Sequence, residues 1–302
     1  ITQVASTASQ GTWQYSANGT TGWTDIPVTG QDVPSATNVY YFQASTYLRF
    51  KPAADFNGTP GAITAYLIEE NNSSLTRFTT VNHDYFSATP VTLTTSVTAV
   101  NDAPVASGSA TLAAVAEDTT NPAGALVSTL FASSFSDTAD AVNNGSSANS
   151  LAGVAITANA ATATQGKWQW QANGTTTWTD VPTTGLTNTT ALYLAANTLL
   201  RFVPIANFNG TPGGLTARLV ESSGNGLNNG NVVDVSANGG STAFSANSVS
   251  LGTSVVDIND APVVNIPQSF TMNEDTPQLD LVFTGTPFAD NENARLTVTL
   301  SV

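Results

Sequence analysis

Acidic and amide side chains collect at two places in a chain otherwise poor in charge. Asn101-Asp102-Ala103-Pro104-Val105 returns as Asn259-Asp260-Ala261-Pro262-Val263, and each is followed by a strand-like run and a Glu-Asp-Thr: Glu117-Asp118-Thr119, then Glu274-Asp275-Thr276. Farther on come Asp137 and Asp140 in the first case, and Asp290 and Glu292 in the second. Only 9% of residues are Asp, Glu, Lys or Arg, against about a quarter in an ordinary soluble chain, so these clusters stand out. Carboxylates gathered without Lys or Arg beside them repel one another and resist ionisation. A hard cation removes that cost, and calcium accepts roughly six to eight oxygen ligands in a loose geometry that loops can supply. The competing reading is that these are solvated turn and strand-end residues. No Asp-x-Asp-x-Asp-Gly loop is present, which excludes an EF-hand.

The elements that must position these residues are set by a duplication. Gly11-Thr-Trp-Gln-Tyr-Ser-Ala-Asn-Gly-Thr-Thr-Gly-Trp-Thr-Asp-Ile-Pro27 returns as Gly166-Lys-Trp-Gln-Trp-Gln-Ala-Asn-Gly-Thr-Thr-Thr-Trp-Thr-Asp-Val-Pro182. Leu48-Arg49-Phe50 and Phe56-Asn57-Gly58-Thr59-Pro60-Gly61 return as Leu200-Arg201-Phe202 and Phe208-Asn209-Gly210-Thr211-Pro212-Gly213. A period of this length is a whole domain, not a solenoid unit of about 20–50 residues. The register divides the chain into residues 1–103, the C-terminal part of a first repeat; 104–261, a complete second repeat; and 262–302, the N-terminal part of a third. The opening strands of the first repeat, counterparts of Val105 to Ala155, are expected upstream in a longer polypeptide.

Within each repeat the pattern is of strands. Trp13 and Tyr15 alternate with Gln14, and Trp168 and Trp170 with Gln169, which places each aromatic pair on one strand face. Asn18-Gly19 and Asn173-Gly174 supply the positive φ of a tight turn, and Trp23 and Trp178 return on the partner strand. These aromatics suit either core packing or, if exposed, stacking against sugar rings. Val39 to Lys51 and Ala191 to Val203 read as the next strands, with Arg49 and Arg201 between apolar residues and pointing outward or toward a carboxylate. Ile63 to Ile68 and Leu215 to Val220 follow, and end at Glu69 and Glu221. The segments 71–84 and 222–245 differ in length and sequence, as surface loops do. Val91 to Val100 and Val249 to Ile258 close the units. The fold class expected is all-β, as tandem β-sandwich domains.

Composition narrows the function. Twenty-one carboxylates against seven Lys plus Arg give a net charge of −14, which repels nucleic acid and anionic membrane. With no Cys, disulfides and thiolate metal sites are excluded. No apolar run approaches a membrane span of about 18 residues. The sole His, His83, has no copy in the second unit, which argues against a His-based triad or a zinc site. Lys51 and Lys167 occupy non-equivalent positions, which argues against a repeated isopeptide bond. The expectation is a protein that is not an enzyme.

Asp257-Ile258-Asn259-Asp260-Ala261-Pro262, with Val100-Asn101-Asp102-Ala103-Pro104 as its partial copy, resembles the Asp-x-Asn-Asp-x-x-Pro linker of cadherin-like repeats. Asn-Asp-Ala-Pro-Val followed by Glu-Asp-Thr is similar to the tandem cadherin-like repeats of giant bacterial RTX adhesins, the VCBS-repeat class. The hairpin, Leu-Arg-Phe and Phe-Asn-Gly-Thr-Pro-Gly strings resemble a longer repeat variant of the same proteins. The resemblance implies Ig-like, cadherin-like Greek-key sandwiches strung end to end, calcium between them, one-step type I export and an extracellular place at the bacterial surface. The calcium ligands it implies are Asn101, Asp102, Glu117, Asp137 and Asp140 at the first junction, and Asp257, Asn259, Asp260, Glu274, Asp290 and Glu292 at the second. Ala99 stands where the motif has Asp. Glu69 and Glu221 fall where cadherins place a mid-domain acidic ligand, though the motif around them differs.

Three functions follow as expectations. The first is a calcium-stiffened extender of a large cell-surface adhesin for attachment or biofilm, whose partners are its neighbouring repeats. The second is a subunit of an extracellular filament or sheath, joined to like subunits by strand complementation. The third is a module that binds a surface glycan or peptide through the Gly/Asn-rich loop from Ser222 to Gly240.

Overall fold

The structure, a computed structural model, describes residues 1–28, 34–35, 38–69, 77–78, 86–266, 273–275, 287–290 and 296–297. The second unit holds two facing sheets. One has six strands in the order Ser109–Thr111, Phe244–Gly252, Leu215–Glu221, Leu151–Asn159, Ala191–Ala195, Val232–Val233. The other has four, in the order Ala125–Leu126, Leu199–Pro204, Gly166–Gln171, Thr179–Asp180. The pairing is antiparallel except for Ser109–Thr111 on Phe244–Gly252 and Val115–Ala116 on Val255–Val256, which are parallel. The chain is therefore all-β, with one short α-helix among the described residues, Val127–Phe131, which buries Val127, Leu130 and Phe131 at one side of the core.

The core explains the pattern. Trp168 and Phe202 from the smaller sheet meet Val154, Leu219 and Leu251 from the larger, all of them fully buried. Trp168 and Phe202 are register partners and meet edge to face at 5.4 Å. The Trp168 indole N–H donates to the Gly213 carbonyl at 2.8 Å, so the burial leaves no orphan donor. Trp13, Phe50 and Gly61 repeat this in the first unit, with a 3.0 Å bond. Gly213 is required there: a Cβ at that position would lie 2.0 Å from the Ala160 carbonyl oxygen.

The other face of the hairpin is also covered, which the alternating pattern did not suggest. Gln169 and Arg201 are both buried. The Arg201 guanidinium sits 3.8 Å over the Trp178 ring and donates to Gln169 Oε1, Asn121 Oδ1 and the Pro122 carbonyl. Gln169 in turn donates to Asp180 at 2.6 Å. The expected carboxylate partner is thus present, but one amide away. Arg49, Trp23, Gln14 and Asp25 form the same chain in the first unit.

Two expectations from sequence need correction. Val39–Lys51 and Ala191–Val203 are not single strands: each breaks into two. In the second unit the break lies at Ala196–Thr198, where the chain crosses from the larger sheet to the smaller. Thr198, fully buried, fixes this corner by donating to Asn229 Oδ1 at 2.9 Å. The segment Ser222–Gly240 is correspondingly not a free loop. It carries the edge strand Val232–Val233, and Asn229 also accepts from the Ala195 N–H. The counterpart loop, 71–84, lies outside the described residues apart from Arg77–Phe78, which pairs with Val39–Tyr40. His83 also lies outside them.

The first unit has the same hairpin and the strands Gln3–Val4, Ile63–Ala65 and Val91–Leu93 around a smaller core of Ile1, Trp13, Ile26 and Ile63. Positions covered in the second unit by residues 109–131 are open here: Leu48 is 37% exposed and Leu93 41%, whereas Leu200 and Leu251 are at 0%. In the third unit Val263–Val264 pairs with Phe288–Ala289, as Val105–Ala106 pairs with Phe135–Ser136. Replacing Trp168 with Ala should lower unfolding free energy by about 3–5 kcal/mol, read from urea titration by circular dichroism. Trp13→Ala, in the thinner core, should cost less.

Candidate metal centre

Four of the expected ligands come together, with one further acid, Glu221, that the linker motif does not contain. Asp137, Asp140 and Glu221 are all buried, and one carboxylate oxygen of each lies within 4.8 Å of the others. Asp137 follows the short strand Phe135–Ser136, Asp140 lies in the turn beyond it, and Glu221 ends the strand Leu215–Glu221. Asn101 and Asp102, from the linker, close the site. Asn101 donates its amide to Glu221 Oε1 at 2.6 Å, and the Asp102 N–H faces both Asp140 oxygens at 3.3 Å. Asn149 donates its backbone N–H to Asp137 Oδ2 and its side-chain amide to Asn101 Oδ1 and Asp140 Oδ2. Ser222 Oγ orients Asn149, and Ser223 Oγ donates to Glu221.

These bonds leave two acceptors without partners. Asp137 Oδ1 and Glu221 Oε2 are buried and receive no hydrogen bond, at residues only 5% and 0% exposed. A buried polar atom without a partner is costly, and more so when charged. Burial raises the Glu221 pKa above the ordinary range, and the charges of Asp137 and Asp140 push it the same way, against the bonds from Ser223 and Asn101. Burial also raises Asp102, helped by Asp55, Asp140 and Asp137.

The donors are all oxygens. Ligands at about 2.3–2.6 Å from a calcium ion, on opposite sides, stand about 5 Å apart, so a 4.8 Å cluster fits within one coordination sphere. Asp137 Oδ1 and Glu221 Oε2 are the atoms such an ion would satisfy. Soft metals have no thiolate here.

The remaining residues lie elsewhere. Glu117 does not join Asn101 and Asp102. It lies at the other end of the second unit, where its carboxylate accepts from the Ile258 N–H at 2.6 Å and from Asn209 at 3.4 Å. The cause is the parallel pairing of Val115–Ala116 with Val255–Val256, which carries Glu117 to the second linker. There Asn209 also donates to Asp257, and Glu117 and Asp260 both raise the Asp257 pKa, burial being the larger cause. Asn259 donates to the Asp260 carbonyl. Glu274 is exposed in a turn, and Asp290 follows the strand Phe288–Ala289. Glu292 lies outside the described residues. Glu69 is exposed, unlike its counterpart Glu221. Asn149 was not singled out by sequence; it lies in a turn-rich stretch where no spacing marks it.

No family model, no curated protein and no solved structure matches the chain.

In chelator, Glu221 has a folded-state pKa above its unfolded value, so the folded state holds the extra proton. Unfolding free energy should therefore fall as pH rises from the unfolded carboxylate range, about 4.3, through the raised Glu221 value. Glu221→Gln should flatten that slope and raise the melting temperature of the metal-free chain by a few degrees, read by calorimetry across pH.

Proposed function

We propose that the chain is a run of extender repeats from a large extracellular adhesin, stiffened by calcium. The observation that carries this reading is the pair of orphaned oxygens, Asp137 Oδ1 and Glu221 Oε2, in a buried all-oxygen cluster. The linker residues Asn101 and Asp102 belong to that cluster. Binding there links the first unit's exit to the second unit's body. At the second linker Glu117, Asp257 and Asp260 gather on the side of the preceding unit. Repetition, low charge and an end-to-end order of domains suit a spacer rather than a catalyst.

Calcium that binds only the folded state stabilises it by mass action, about 2.7 kcal/mol at one hundred times the dissociation constant. For the second unit that is a rise of roughly 5–10 °C in melting temperature. Calorimetry with calcium, with magnesium and with chelator checks this. Asp137→Asn and Glu221→Gln should remove the calcium response, and an identical melting profile in calcium and chelator would exclude the reading.

A further inference from the structure

The two ends of the repeated Phe-Asn-Gly turn do different things. In the second unit Asn209 is exposed and turns back to its own unit, donating to Asp257 at 3.0 Å and Glu117 at 3.4 Å. Among the described residues, a Cβ on Gly210 would meet nothing within 4 Å. In the first unit the counterpart of Asp257 is Ala99, and Asn57 has no acid there to bond. It reaches across to the next unit instead. Its amide donates to Ser146 Oγ at 2.8 Å, and its Oδ1 accepts from the Ser146 N–H at 2.6 Å. Asn57 is only 6% exposed. The fit is close on both sides. A Cβ on Gly58 would lie 2.8 Å from the Asn144 carbonyl oxygen, and a Cβ on Gly145 would lie 2.7 Å from the Asn57 carbonyl oxygen. Ser146 Oγ also donates to the Asp140 carbonyl at 2.5 Å, so the contact is seated on the loop that carries the metal centre.

The sequences on the receiving side differ in step. The loop after Asp140 reads Asn143-Asn144-Gly145-Ser146-Ser147, while in the third unit, where Asp290 takes the place of Asp137, the sequence from Asn291 to Leu300 holds neither Gly nor Ser. A unit ending in Ala precedes a unit with the Asn-Gly-Ser loop; a unit ending in Asp precedes one without it.

We infer that the chain carries two kinds of joint, and that the first is a direct lock in which Asn57 clamps the Asn144-Gly145-Ser146 loop of the following unit, selected by Ala99 in place of Asp. The lock is built from neutral hydrogen bonds and steric fit, so it holds whether or not the centre beside it takes calcium. The pairing of Ala99 with the Asn-Gly-Ser loop makes the joint a specificity element: it determines which unit can follow which.

The test uses the full chain, which has no native Cys. Nitroxides on Ala17→Cys and Thr176→Cys, exposed positions in the first and second units, report the distance across the joint by pulsed electron spin resonance, in chelator throughout. The parent should give a single narrow distance. Asn57→Ala and Gly145→Ala should each lose it, the first by deleting the clamp and the second by driving a methyl group into the Asn57 backbone. Ala99→Asp should also lose it, by giving Asn57 an acid in its own unit. Asn209→Ala, at the other end, should keep it. Near-ultraviolet circular dichroism confirms that each variant's sandwich is intact. A broad distribution in the parent, or a narrow one retained in Asn57→Ala or Ala99→Asp, would overturn the inference.

Discussion

Three carboxylates share one buried site with no Lys or Arg among the described residues bonded to them, and the region around them is shaped by that fact. Asp137, Asp140 and Glu221 come from separate stretches of chain, so closing the sandwich brings like charges together. The fold offsets part of this with donors from neutral groups: Asn101, Asn149, Ser223 and the Asp102 backbone. It does not offset all of it. Asp137 Oδ1 and Glu221 Oε2 remain without donors. Low-dielectric surroundings make partial satisfaction expensive, which is the physical ground for the cation proposed there. The raised pKa of Glu221 expresses the same imbalance in the protein alone.

Away from that site the sandwich depends on a different solution to burying polarity. Trp168 fills the core and donates to Gly213, while on the opposite face Arg201 is held between Trp178 and Gln169, with Asp180 behind the glutamine. Charge is buried, but the bonds to Gln169 lead outward through a neutral amide to the exposed Asp180 carboxylate. The first unit reproduces the arrangement through Arg49, Gln14 and Asp25, although Leu48 beside it is far more exposed than Leu200.

What the sequence revealed follows from which contacts are local. The hairpin, its turn glycines and the repeat register were legible because they depend on alternation and on neighbours within a few dozen residues. Asn101, Asp102, Asp137 and Asp140 were legible as a group because linker and loop recur in order. Glu117 was misassigned for a physical reason: it is near Asn101 in sequence, but a parallel strand pairing carries it to the second linker. Glu221 was visible as a strand-end acid, yet only the pairing of Leu215–Glu221 with the strand Leu151–Asn159 places it beside Asn149 and the linker. The corner at Thr198 was hidden because an apolar pattern does not show which sheet a strand joins.

Some glycines of the repeat answer to the fold and others to the joint. Gly61 and Gly213 both sit where a Cβ would strike backbone about 2.0 Å away, so that glycine belongs to the fold of either unit. Gly58 and Gly210 share positive φ, so the turn needs glycine in both. Among the described residues, Gly58 has a neighbouring unit's backbone against it and Gly210 does not. The same residue type thus meets a conformational demand twice and a packing demand once. Asn57 and Asn209 divide in the same way, one buried across a joint and the other exposed beside its own acids. Asp257, whose counterpart is Ala99, is one of the two acids that hold Asn209 within its own unit, whereas Asn57 exchanges two neutral hydrogen bonds with Ser146 of the next.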